Sequence, residues 1–173
     1  TVNAGGMGVT LTAGGSIGAR GKSVDVLTKE RTKLVATSGG DAFLSSDSAS
    51  MRISQVSAVG DAVLSSGYSL IDDRGIRAQA VDATNIELVA GGDIGATTLP
   101  MTVKTAAGGA VRNAAAGGSA YLSSPVGVLT VLNGGATTGQ MALNGSAAGL
   151  TLGGNITTGR GLALTAGSNA ISL

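Results

Sequence analysis

One phrase is written twice in this chain, 77 residues apart: Gly8-Val-Thr-Leu-Thr-Ala-Gly-Gly-Ser-Ile-Gly-Ala19 and Asn85-Ile-Glu-Leu-Val-Ala-Gly-Gly-Asp-Ile-Gly-Ala96. A partial third copy, Gly161-Leu-Ala-Leu-Thr-Ala-Gly-Ser-Asn-Ala-Ile171, follows 76 residues after the second. Repetition at a fixed period is the mark of a chain that stacks like units and shares one core between neighbours. A shorter period lies inside the long one. Asp41-Ala-Phe-Leu-Ser-Ser46 returns as Asp61-Ala-Val-Leu-Ser-Ser66 and again as Ser119-Ala-Tyr-Leu-Ser-Ser124. The unit is therefore a coil of about 20 residues, four to the long spacing and roughly eight or nine to the chain.

The local pattern says what a coil is made of. Apolar residues alternate in Val9-Thr-Leu11, Val24-Asp-Val26, Ile86-Glu-Leu88, Met101-Thr-Val103 and Leu162-Ala-Leu164, in short runs bounded by glycine pairs. Period-two runs between glycines read as short strands with tight corners. The corners are placed at Gly14-Gly15, Gly39-Gly40, Gly91-Gly92 and Gly117-Gly118, with glycine serving turns that need positive φ. No amphipathic helical pattern lasts three turns, and Thr28-Lys-Glu-Arg-Thr-Lys33 reads as a solvated connection.

Strands repeated in phase stack in parallel about 4.8 Å apart, so the expected fold is all-β: a right-handed parallel β-helix, one segment over residues 1–173, forming a rod of roughly 40 Å. Ala13, Ala90 and Ala166 are expected at one corner of it, and Leu44, Leu64 and Leu122 in one ladder. A hairpin sandwich would also use short strands, but it does not predict the registers.

Composition narrows the chemistry. The chain has no Cys and no His, which removes disulfides, thiolate sites and the commonest general base. All ten carboxylate side chains lie before residue 94, so the second half carries none. A net charge of +1 indicates neither nucleic acid nor an anionic membrane as partner, and no apolar run is long enough to insert in a bilayer.

The glycine phrases lack the Lys and Ser/Thr of a phosphate loop. A calcium ladder needs a carboxylate kept in register, and Asp93 is replaced by Ser16 and Asn169 in the other copies. Asp41 and Asp61, one coil apart, are read as bonded to turn amides and not to an ion. No cofactor or metal is expected. Asn144-Gly-Ser146 and Asn155-Ile-Thr157 spell the glycosylation acceptor, as chance allows in so Ser- and Thr-rich a chain. The densest charge, from Gly67 to Arg77, marks a protruding loop whose binding candidates are Tyr68, Asp72, Asp73, Arg74 and Arg77.

The stretch from Ile86 through Met101-Thr-Val103, followed by Gly117-Gly-Ser-Ala-Tyr-Leu122, resembles the repeats of very large bacterial exoproteins, the filamentous-haemagglutinin-like adhesins exported by two-partner or autotransporter routes. That resemblance implies a cell-surface or extracellular β-helical shaft with a role in adhesion, aggregation or biofilm matrix.

The expected function is accordingly a non-catalytic shaft segment, part of a longer shaft and partnered by adjoining coils end to end, with a carbohydrate or protein receptor of unknown identity. Repeats running to both ends also allow a self-assembling fibre subunit. A carbohydrate-active β-helical enzyme, using the Asp72 cluster, is the weaker third reading.

Overall fold

The computed structural model describes residues 2–3, 8–28, 32–145, 148–167 and 170–173. It is an all-β solenoid of about seven turns with about 21 residues to the turn. Numbered along the chain, one sheet contains β1 (Val2–Asn3), β3 (Val24–Leu27), β5 (Ala42–Ser46), β7 (Asp61–Ser66), β10 (Asn85–Ala90), β12 (Val111–Ala116), β14 (Leu129–Val131), β15 (Gly134–Ala136), β17 (Leu150–Leu152), β18 (Ile156–Thr158) and β20 (Ile171–Ser172). The other contains β2 (Val9–Ala13), β4 (Leu34–Ser38), β6 (Met51–Ala58), β8 (Leu70–Asp72), β9 (Val81–Ala83), β11 (Met101–Thr105), β13 (Ala120–Ser123), β16 (Gln140–Asn144) and β19 (Gly161–Thr165). Neighbouring strands in both are parallel and one coil apart, as in Ala42↔Ala62 and Leu44↔Leu64.

The second sheet is bent into two faces. The first residues of β6 pair with β8 (Met51↔Leu70), and its last with β9 (Val56↔Val81). Between them the inward–outward alternation breaks at Ser54 and Gln55, beside a register shift against Leu34 and Val35. Strand β11 divides likewise, Met101 pairing with Leu122 and Val103 with Val81. Each of these coils thus has three sides. The chain passes from face three (β2, β4 and the end of β6) to face one (β5, β7, β10 and β12) and then to face two (β8, β13, β16 and β19).

Inward positions build one aliphatic core. Leu44, Leu64 and Leu88 stack on face one, each fully buried. Met51, Leu70, Ile94, Ala120 and Met141 follow one another on face two. At about 25 cal/mol per Å², each such leucine contributes roughly 1.5–3 kcal/mol on leaving water. The expected leucine ladder is corrected here: Leu122 lies on face two against Leu143, not with Leu44 and Leu64.

The coil count is also lower than the eight or nine expected, because coil length varies. The step from Ala42 to Ala62 takes 20 residues, and that from Ile94 to Ala120 takes 26. Longer coils carry outward excursions, after Gly18 and Gly95 and around Gly75, three glycines with φ of +72°, +65° and +64°.

Those excursions explain the long period. Register partners carry Thr12 to Thr37, Ser57 and Asp82, three coils on, and seven further residues reach Val89 on face one. From Val89 the partners are Ala115, Gly135 and Thr157, and eight further residues reach Thr165 on face two. The 77-residue spacing is therefore three coils plus one side, not four coils. Ala13, Ala90 and Ala166 consequently sit on three different sides and not at one corner.

The corner glycines also differ from expectation. Gly39, Gly91 and Gly117 are not among the residues of positive φ. Their constraint is proximity: a Cβ on Gly91 or Gly117 would run into the carbonyl of Gly67 or Gly91 in the coil below, as one on Gly39 would into that of Gly14. Glycine here lets one backbone lie directly on another. Of the connection 28–33, Thr28 and Thr32 are buried and not solvated, while residues 29–31 lie outside those described. Ser146 and Asn169 also lie outside them.

Candidate functional site

Polar side chains at the corners form ladders of their own. At the corner entering face one, Asp41 N–H donates to Ser16 Oγ (3.0 Å), Asp61 N–H to Asp41 Oδ1 (2.8 Å), Asn85 Nδ2 to Asp61 Oδ1 (2.8 Å), and Ala110 N–H to Asn85 Oδ1 (3.3 Å). At the corner leaving it, Asp93 N–H donates to Ser69 Oγ (3.0 Å), Ser119 N–H to Asp93 Oδ1 (2.6 Å), and Gln140 N–H to Ser119 Oγ (3.3 Å). Asp41 is thus bonded to a backbone amide of the next coil, and Asp61 is further held by Arg112 (3.0 Å). Among the described residues no group of three or more His, Cys, Asp or Glu side chains is placed to hold a metal ion.

The charged segment does leave the coil. Arg74 and Arg77 close a turn around Gly75 through Arg77 N–H to Arg74 O (3.3 Å), and Ile76 at its tip is fully exposed. Its five candidate residues do not form one surface. Asp72 is 1% exposed and accepts from Thr102 N–H (2.9 Å), Thr102 Oγ1 (2.7 Å), Arg74 N–H (3.1 Å) and Arg74 Nη1 (2.5 Å). A carboxylate enclosed in this way anchors the loop.

Asp73 bridges Lys33 (2.8 Å) and Arg52 (2.8 Å). Burial opposes its ionisation, but the hydrogen bonds and charges of Lys33 and Arg52 outweigh burial and hold its carboxyl below the usual carboxylate range. Arg77 hydrogen-bonds Gln55. Tyr68 stands apart, exposed at the corner before β8.

The two full copies of the phrase fold alike on their different sides. Ile17 N–H donates to Asp41 O and Ile94 N–H to Ser119 O; Ala19 and Lys22 exchange backbone hydrogen bonds, as do Ala96 and Leu99. In each case the next coil sets an aromatic ring against the excursion, Phe43 N–H donating to Ile17 O and Tyr121 N–H to Ile94 O, both at 2.8 Å. Arg20 lies over the Phe43 ring, 5.8 Å from its centre, and continues to Glu87 at 3.2 Å.

Among the described residues no cation lies over Tyr121, which is half-buried and borders two hollows. One, of about 440 Å³, is lined by Asp93, Ser119, Thr138, Gln140 and Arg160; the other, of about 300 Å³, by Thr97, Pro100, Gln140, Asn144 and Thr165. Hydrogen bonds from Thr97, Ser119 and Gln140 hold its hydroxyl below the usual phenol range, against the opposing effects of burial and Asp93. Sequence reasoning passed over Tyr121 as a member of a repeat. The signal was there: it is an aromatic at the outward position of Ser119-Ala-Tyr-Leu, one coil after a glycine phrase.

No family model, curated protein or solved structure matches the chain. Among the described residues no helix is long and apolar enough to cross a membrane.

Proposed function

We propose that this chain is a shaft segment of a bacterial surface or secreted adhesin-like exoprotein, acting mechanically as a stiff spacer that holds outward groups at a distance. The observation that carries this reading is the parallel pairing of coil on coil, from β1 through β20, over a single aliphatic core. Such a stack resists bending because every coil is hydrogen-bonded to its neighbours, while its outward positions are free to vary. At about 4.8 Å per coil, seven turns span about 34 Å. The likeness of its phrases to filamentous-haemagglutinin-like repeats supports placement at the cell surface.

An antibody raised against the purified chain tests the placement. Equal labelling of intact and lysed cells of the source bacterium is expected, and labelling only after lysis would refute it. A second reading is end-to-end stacking between copies, in which the coil-on-coil pairing that joins β17 to β20 is repeated from one chain to the next. Filaments of the purified chain in negative-stain micrographs would support it, and a monomer at all concentrations would exclude it.

A further inference from the structure

The two copies of the phrase differ at one position that decides whether the neighbouring ring is open. In the first, Ala19 is followed by Arg20, whose guanidinium covers Phe43 and leaves that residue 7% exposed. In the second, Ala96 is followed by Thr97, a shorter, uncharged side chain that lines a hollow together with Tyr121. The ring is left between the two hollows, with Gln140 Nε2 donating to its hydroxyl at 3.1 Å. A half-buried ring whose polar end is pinned and which borders a hollow on two sides is a preformed platform.

We propose that Tyr121 is the stacking platform of an oligosaccharide site that takes a neutral hexose chain laid across successive coils. The chemistry around the ring selects this class. Asp93, Ser119, Thr138 and Gln140 offer carboxylate, hydroxyl and amide groups, a mixture of acceptors and donors suited to vicinal hydroxyls. Asp93 and Arg160 offset each other in the same hollow, so neither a polyanion nor a polycation is favoured. At Gly118 and Gly139 the place of a Cβ is taken by Asp93 Oδ1 and Ser119 Oγ, which sets those two polar groups close against the backbone at the edge of the hollow. Gln140 lines both hollows, so a ligand using both places a sugar on either side of Tyr121 and stacks the apolar face of one against it. The assignment uses this surface alone and does not depend on the shaft reading.

The test uses the intact chain with cellotetraose, maltotetraose, laminaritetraose and mannotetraose as probes. With no Trp present, tyrosine emission reports directly. At least one probe is expected to change that emission saturably below about 10 mM. Isothermal titration calorimetry, which does not need the Tyr121 emission, should show Tyr121→Ala weakening binding roughly tenfold and Tyr121→Phe by no more than about threefold.

The decisive variant is Thr97→Arg, which rebuilds the lid of the first copy. It should abolish binding while the melting temperature stays unchanged. Failure of all four probes to bind, or binding that survives Thr97→Arg, would overturn the proposal. So would binding confined to a sulfated polymer such as heparin and lost in Arg160→Gln, which would mark an anion site instead.

Discussion

Gly14 and Gly91 hold the same place in the repeated phrase, yet replacing each by alanine should have unequal consequences. A Cβ on Gly91 would stand 3.0 Å from the carbonyl carbon of Gly67 and nearer still to its oxygen, whereas among the described residues nothing lies within 4 Å of one on Gly14. Relief at Gly91 requires the corner to rise by about 1 Å from a coil spacing of about 4.8 Å. That rise stretches the two bonds tying this corner to the coil below, Gly91 N–H to Ser66 O (2.9 Å) and Gly92 N–H to Tyr68 O (2.7 Å). At about 0.5–1.5 kcal/mol for each bond, the expected loss is about 1–3 kcal/mol, matching the usual penalty for overpacking.

For a chain of this length that lowers the melting temperature by about 2–12 °C. Gly14→Ala should stay within about 0.5 kcal/mol, or gain a little from a stiffer unfolded chain. Urea unfolding followed by far-ultraviolet circular dichroism measures both. If Gly91→Ala shifts the midpoint no further than Gly14→Ala, the two backbones are not stacked at that corner and the account of the glycines fails.

Asp72→Ala should destabilise by about 3 kcal/mol, the lower end for a broken buried pair, because Arg74 can turn to water while the Thr102 amide and hydroxyl stay buried; denaturant titration checks it. Asp73, with its lowered carboxyl, stabilises the fold fully above the unfolded carboxylate range near 3.9, and that contribution is lost as pH falls through the lower folded value. The stability gap between the wild type and Asp73→Asn should therefore be constant near neutrality and close under acid, and a gap that widens under acid would contradict the ion pairs. Phenolate absorbance present in the wild type and missing from Tyr121→Phe should titrate below the usual phenol value near 10, and a value above it would contradict the hydrogen bonds at that hydroxyl.

The sequence made the solenoid legible because strand, corner and core are each written locally, in Val9-Thr-Leu11, in Gly14-Gly15 and in the alternation of Ile86-Glu-Leu88. It hid the phase, because excursions after Gly18 and Gly95 lengthen some coils and not others, and a count of residues does not separate four coils from three coils and a side. It hid the fate of Asp72 as well. A carboxylate in a charged run reads as exposed, and only the parallel pairing of Ile53 with Asp72, beneath Thr102, draws it inside. Tyr121 was readable as an aromatic but not as an open one, since its openness depends on the length of residue 97, in the coil below.

Three coils and one side per repeat has a consequence for how such a protein grows. If whole phrases are duplicated, each new copy points its excursion at a different flank from the last. A lengthened rod then carries the tips of its excursions in a spiral around the axis, so that whatever it touches meets one of them from any direction of approach.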